Sequence, residues 1–331
     1  MSLPALQALR QRYPAAQILV LAPPWVPGLY ARESFCDEVI PYDAPNGWRG
    51  FGEKRLLAAD LRRHNFDCAL LLQNAFEAAA LVRLARIPIR IGYDRDARGW
   101  LLTHPIPVPG PGEIKPHQRF YYLELLKRAN LIEAYSPTAP IRLSGAPEAA
   151  ELGREWLKNA SMGAIVIGVS PGAAYGGAKR WFPERFATAA VQIARERDAS
   201  VAVFGSKTER DIAEAVRTLV RVQGVRCENF AGVTTLEQLI EMTAACTLFL
   251  TNDSGSMHIA SALGVPTVAV FGPTDEKATG PTGDLSRVVR EHVDCSPCML
   301  RECPIDHRCM SRVNATDVAR AGSELIEIQQ R

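Results

Sequence analysis

No stretch of this sequence is apolar for long enough to cross a bilayer, and its N-terminus lacks the succession of a signal peptide. Excess charge is also scarce. The balance is +2, too small to draw the chain to a polyanion such as nucleic acid. The Gly-x-Gly-x-x-Gly fingerprint is missing, which removes the support for a nicotinamide-type oxidoreductase. The run Gly172 to Lys179 nearly spells a P-loop, but Ala178 follows Gly177 and neither Ser nor Thr follows Lys179. There is no internal repeat of fixed period and no low-complexity segment.

What is present suits a globular protein of ordinary composition. At 331 residues the chain can hold two domains, each with its own core. Eight cysteines without a secretory signal point to a reducing compartment. Cys36, Cys68, Cys227 and Cys246 lie scattered in apolar segments and read as inert buried thiols.

In the first half the apolar spacing predicts helices at 2–13, 54–63, 76–84 and 117–130, with strands at 18–21, 69–72 and 90–93 and a short further element at 39–41. Residues 136–147, rich in Pro, Ser and Gly, read as a linker. It divides the chain into domains 1–147 and 148–331, the last helix being expected to pack back on the N-terminal domain. The second half alternates more cleanly, with strands at 165–169, 201–204, 248–251 and 267–271 and helices at 183–197, 209–220, 236–245 and 255–263. Such alternation of apolar strands and helices predicts an α/β, doubly wound parallel sheet covered on both faces. Ligands of these sheets bind at the carboxyl ends of the strands.

The run Thr251-Asn252-Asp253-Ser254-Gly255-Ser256-Met257-His258 lies at one such end. It reads as a strand turning directly into a helix, with Ser254 at the N-cap and Gly264 and Pro266 as the stop. Backbone N–H groups, the hydroxyls of Ser254 and Ser256 and the positive end of the helix dipole make an anion site. Asp253 at its mouth can bind hydroxyls or a cation. His258, inside the helix, reads as a packed or phosphate-orienting side chain ahead of an acid–base role.

The loop from Ser170 and Gly172 to Lys179, Arg180 and Trp181 is the second signal. Its small residues let a ligand approach the backbone, and Lys179 and Arg180 add fixed positive charge. It is either a glycine-rich surface loop with solvated cations or, together with the turn at Ser254, a clamp for a diphosphate. Gly205 and Glu209 follow the strand at 201–204; Glu209 alone is a favourable first-turn charge.

Cys295, Cys298, Cys303 and Cys309, with His307 among them, form a C-x2-C-x4-C-x5-C run. That density suits a structural zinc or iron, free thiols in a proline-ordered loop, or disulfides.

Several motifs together resemble the ADP-heptose:lipopolysaccharide heptosyltransferases of glycosyltransferase family 9, in their heptosyltransferase II branch. They are Ser170-Pro171-Gly172-Ala173 with Ala178-Lys179-Arg180-Trp181, Phe204-Gly205-Ser206, Thr251 to Gly255 with Met257-His258, and Phe271-Gly272-Pro273-Thr274. Leu3-Pro4-Ala5-Leu6 and Leu72-Gln73-Asn74 extend the likeness over nearly the whole chain.

The resemblance implies a GT-B architecture of two Rossmann-like domains facing a cleft, and inverting transfer of heptose without a metal. It implies an ADP-heptose donor held by the C-terminal domain and a Kdo-lipid A acceptor at the inner leaflet held by the N-terminal one. The enzyme would be cytoplasmic and peripheral to the membrane. Lys179 and Asp253 would be catalytic, Lys179 on the diphosphate and Asp253 on the heptose hydroxyls. Ser170, Gly172, Arg180, Gly205, Ser254, Gly255, Ser256 and His258 would complete the donor site, with Glu209 on the ribose. Gln73 and Asn74 would face the acceptor, and Arg62, Arg63, Arg83, Arg86, Arg90 and Arg95 could meet anionic sugars or headgroups. Heptosyltransferase I or III, another transferase of the family, and a catalytically impaired nucleotide-sugar-binding protein are the alternatives.

The family pattern also implies a strand and a Gly-Asp turn ahead of the helix near Ser2, the turn supplying the general base. The sequence given starts inside that motif, so the first strand of the N-terminal domain is expected to be missing. Either an internal methionine was taken as the start or the chain is a truncated product, and little transferase activity is expected of it. Another carboxylate could substitute as base, Asp94 and Glu77 being the candidates.

Overall fold

The computed structural model describes residues 1–43 and 50–331. The chain forms two compact units, one of residues 1–27 and 34–139, the other of residues 28–33 and 140–331. The expected linker therefore belongs largely to the second unit: the Leu143 N–H donates to Ala262 O at 2.9 Å, and a helix starts at Ala146.

In the first unit β1 (Leu19–Ala22) pairs in parallel with β2 (Glu38–Pro41). β3 (Cys68–Leu71), β4 (Ile89–Tyr93) and β5 (His104–Ile106) form a separate parallel sheet in that order. Among the described residues no strand stands between β1 and β3, so each keeps one unpaired edge. The helices Leu3–Arg12, Phe51–Arg63, Phe76–Leu84 and Gln118–Arg128 cover these sheets with several small apolar clusters in place of one core. Cys68 opens β3 and is exposed, and Cys36 is half-buried, so these two depart from the expected buried thiols; Cys227 and Cys246 are buried.

The second unit is built on one six-stranded parallel sheet. Its strands are β6 (Val166–Ser170), β7 (Ser200–Val203), β8 (Cys227–Asn229), β9 (Leu248–Asn252), β10 (Thr267–Phe271) and β11 (Ser286–Arg290), in the order β11-β10-β9-β6-β7-β8. β6, β7, β9 and β10 are buried along their whole length, which explains why they read as apolar runs and not as alternating patterns. The core joins Ile167, Val169, Leu250, Val268 and Val270 to Phe186 and Ile193 of the helix Pro183–Arg197. The last helix, Ala315–Gln329, sends Val318, Ala319, Leu325 and Ile326 into this same core. It packs on this unit's sheet.

The chain leaves β6 toward β7 on one side, whereas β9 lies on the other side of β6. This reversal opens a crevice at the strands' carboxyl ends. The register sets Ser170 opposite Thr251, so the two loops with candidate chemistry start side by side.

Candidate functional site

The site grows from the last residues of β9. Thr251, Asn252 and Asp253 are all buried, although polar. Buried polar groups persist only when they are hydrogen bonded, and each of these has a task. Asn252 Nδ2 donates to Pro171 O at 2.8 Å and to Gly172 O at 3.3 Å, while its Oδ1 accepts the Trp181 N–H at 3.0 Å. One carboxamide thus pins both ends of the loop 171–181 to the sheet.

Within that loop Lys179 Nζ lies 2.5 Å from Asp253 Oδ2, which also accepts from Thr274 Oγ1 at 2.7 Å. The ammonium sits 4.7 Å from the centre of the Tyr175 ring. A nearly buried ion pair whose shared carboxylate oxygen also takes a hydroxyl proton is held in place strongly, because stranding either charge costs several kcal/mol.

Next to it starts the helix Gly255–Ala262. Ser254 stands at the N-cap with extended backbone, but its hydroxyl bonds Thr251 Oγ1 at 3.1 Å and makes no cap bond. The expected capping role is corrected on this point, and the effect favours a ligand: the first-turn N–H groups are not spent on Ser254. Gly255 is exposed, with open space where a Cβ would stand. Ser256 and His258 are half-buried.

Glu209 lies where the loops converge. Its Oε2 accepts from the N–H and the hydroxyl of Ser206, both at 2.8 Å, as the return half of a capping box for the 3-10 turn Lys207–Glu209 that leads into the helix Arg210–Val222. A Cβ on Gly172 would stand 2.1 Å from Glu209 Oε1, so only glycine lets the carboxylate come this close. Gly205 packs against Glu209 Cβ and Ala231. Arg180 Nη2 donates to Ala173 O at 3.3 Å, and its buried Nε has no protein partner among the described residues. Ser170, Gly172, Lys179, Arg180, Asp253 and Ser254 are thus gathered at one crevice, with Gly205 and Glu209 at its β7 side.

Gln73 and Asn74 belong to the first unit, just beyond β3. Arg98, fully buried, donates to Gln73 O, to Asn74 Oδ1 at 3.3 Å and to Tyr93 O at 3.0 Å. Asn74 Nδ2 in turn donates to Tyr121 Oη at 3.0 Å. Burial lowers the pKa of Arg98. Several of the six expected surface arginines are engaged locally, Arg62 on Leu84 O and Arg90 on Leu101 O, both at 2.8 Å. Glu77 is paired with Lys54 at 2.7 Å.

The four clustered cysteines do not make a metal centre. Among the described residues no three His, Cys, Asp or Glu side chains are placed to hold an ion. All eight thiols are free; Cys295 and Cys298 are exposed, Cys303 is half-buried and Cys309 is buried. Burial, and after it the neighbouring Cys295, Cys298 and Cys303, raise the pKa of the Cys309 thiol, so the four thiols lie near one another without being placed as ligands of one ion.

Asn252, Thr274, Tyr175 and Arg98 were not among the expected site residues. Asn252 had a readable signal, a polar side chain closing an apolar strand, and Thr274 follows the turn Gly272-Pro273 after the next one. Tyr175 and Arg98 lie in loops whose course the sequence leaves open.

The sequence model of glycosyltransferase family 9 (heptosyltransferase) matches residues 55–308. Lipopolysaccharide heptosyltransferase 2 of Salmonella typhimurium is 34% identical over 289 residues, 86% of this chain and 82% of that protein. Its Escherichia coli counterpart is 33% identical with the same coverage. The structure of E. coli ADP-heptose lps heptosyltransferase II superposes with a TM-score of 0.81 and 29% identity over 100% of this chain and 95% of that one. A glycosyl transferase family 9 structure from Veillonella parvula, at 21% identity, shares the fold with a TM-score of 0.82 over 99% of this chain and 93% of that one. The fold class is the GT-B type of these heptosyltransferase structures.

Proposed function

Because the chain belongs to glycosyltransferase family 9, the heptosyltransferases, we propose that it transfers heptose from ADP-heptose to the first heptose of the lipopolysaccharide inner core. Relatives named heptosyltransferase 2 are 34% and 33% identical, whereas a heptosyltransferase 1 is 25% identical, which supports the II branch over the I branch.

One observation carries the reading: Lys179, paired with Asp253 at 2.5 Å, stands beside a helix N-terminus at the crevice where the strand order reverses. A diphosphate needs a fixed cation and oriented N–H donors, and both are there. In the proposed reaction the acceptor hydroxyl, its proton passing to a general base, attacks the anomeric carbon from the face opposite the diphosphate. The bond to the diphosphate breaks, and negative charge grows on its oxygen. Lys179 and the first-turn N–H groups stabilise that charge without a metal, one such donor lowering a barrier by roughly 3–4 kcal/mol. A diphosphate would share Lys179 with Asp253, and Thr274 would keep the carboxylate aimed at the heptose hydroxyls. Glu209, already fixed by Ser206, would offer Oε1 to the ribose.

Residues 148–331 would thus hold the donor. The first unit would hold a Kdo-lipid A heptose acceptor, with Gln73 and Asn74 at the strand end that faces it. No described helix is long and apolar enough to cross a membrane, and the protein would meet the acceptor from the cytoplasm, peripherally at the inner leaflet.

Calorimetric titration with ADP-heptose tests this. Lys179→Ala and Asp253→Ala should each weaken binding at least tenfold, as expected for charged hydrogen bonds. Undiminished affinity in both variants would place the donor elsewhere.

A further inference from the structure

Asn252 holds the two ends of the loop 171–181, but its middle, which carries Lys179, is held from outside. The support is the cysteine-bearing segment 295–309. The Ala178 N–H donates to Arg301 O at 2.9 Å, and the Gly177 N–H donates to Glu302 Oε1 at 2.9 Å. His307 Nε2 is bonded to Ala178 O at 2.7 Å. These contacts grip the peptide units directly preceding Lys179. Tyr175 Oη donates to Met299 O at 2.8 Å, and the centre of the Tyr175 ring lies 4.7 Å from Lys179 and 5.3 Å from Arg301. A Cβ on Gly176, whose φ is +158°, would stand 2.2 Å from Arg301 O, so the two backbones touch.

The same segment holds the other side of the ion pair. The Met299 N–H donates to Pro273 O at 2.8 Å, and Ser296 Oγ donates to Gly272 O at 2.5 Å. That turn leads into Thr274, the second donor to Asp253. Beneath it, buried Cys309 and Met310 lie against Gly272, where a Cβ would come within 3.0 Å of either sulfur atom.

We propose that segment 295–309 is the positioning element of the donor loop, with Glu302 and His307 as the residues that set where Lys179 meets the diphosphate. The proposal rests on the donor reading above and goes beyond it: the cysteine-rich run acts through backbone grip on two loops. Packing alone would not place side-chain acceptors and donors on the peptide groups next to the one lysine of the site. The bond from Gly177 is exposed, so it adds little to global stability. It can still fix a loop, since loop order costs conformational entropy at every residue left free.

ADP-heptose and AMP are titrated calorimetrically into the full chain and its variants Glu302→Ala, Glu302→Gln, His307→Ala and Lys179→Ala, each with a melting curve. Glu302→Ala and His307→Ala should weaken ADP-heptose about tenfold, the worth of a charge-assisted or partly buried hydrogen bond. Glu302→Gln keeps an acceptor for Gly177 and should bind as the parent does. AMP, which lacks the second phosphate, should bind all of them alike. Glu302 is exposed, so the melting temperature of Glu302→Ala should stay within about 2 °C. Unchanged ADP-heptose affinity in both alanine variants, or equal loss of ADP-heptose and AMP, overturns the proposal. Full ADP-heptose affinity in Lys179→Ala would instead overturn the donor reading on which it rests.

Discussion

Asn252 accepts the backbone N–H of Trp181 at 3.0 Å inside the core of the second unit, joining the end of β9 to the far end of the loop that begins at β6. Both residues are fully buried. Asn252→Ala would orphan that N–H together with the carbonyls of Pro171 and Gly172. Each buried unpaired group costs about 1–3 kcal/mol, so a loss of about 3 kcal/mol is expected. A urea transition with an unchanged slope and a lower midpoint should read it out. Asn252→Asp should not rescue it, because a carboxylate cannot donate to the two carbonyls.

Arg98 does for the first unit what Asn252 does for the second. It ties the segments after β3 and β4 together through Gln73, Asn74 and Tyr93. Arg98→Met should lower stability by about 2–3 kcal/mol, since three acceptors, one buried and two part-buried, lose their donor. Arg98→Lys should be nearly as damaging, because an ammonium cannot span a planar three-acceptor fork. Thermal melting of the two variants beside the parent checks both statements.

Burial pushes the thiols of Cys227 and Cys246 from the ordinary value of 9.0 up to about 12. A folded-state pKa above the unfolded one favours the protonated form in the native state. Its stabilising effect is complete below the unfolded value and is lost as pH rises from 9 toward 12. A Cys227→Ala, Cys246→Ala double variant should therefore lose less stability across that interval than the parent does. At pH near 8, alkylation should reach the exposed thiols of Cys68, Cys295 and Cys298 first, and Cys227 and Cys246 only on unfolding. Mass spectrometry after timed labelling gives the order.

Asp253 and Lys179 should separate when the donor is shortened. ADP keeps the diphosphate and lacks the heptose. Lys179→Ala should weaken ADP and ADP-heptose alike, about tenfold. Asp253→Asn should weaken ADP-heptose while leaving ADP equal or tighter, because the lysine no longer shares its charge with a carboxylate 2.5 Å away. Parallel titrations of the two ligands measure the split.

The second unit was largely legible in the sequence. Its strands are buried on both faces, so apolar runs such as Thr267–Phe271 announce themselves, and the helix Pro183–Arg197 starts at a proline and ends in a left-handed Asp198. The short strand Cys227–Asn229 and the edge strand Ser286–Arg290 went unread, because three residues, or a run with two arginines, carry little apolar signal. In the first unit β1 is only half-buried, which blurs the pattern. The crevice was legible through Asp253 and Lys179, whose loops leave neighbouring strands. The role of segment 295–309 was not: its spacing suggests ligands for a metal, while its work is done by the carbonyls of Met299 and Arg301 and by two side chains among the cysteines. Backbone carbonyls leave no mark in a sequence.

A crystal structure with ADP-heptose bound tests the central claim most directly. The account predicts a diphosphate oxygen within hydrogen-bond distance, about 2.7–3.2 Å, of Lys179 Nζ and of a first-turn N–H of the helix that begins at Gly255, with heptose hydroxyls on Asp253. A diphosphate seated away from both Lys179 and that helix would contradict it.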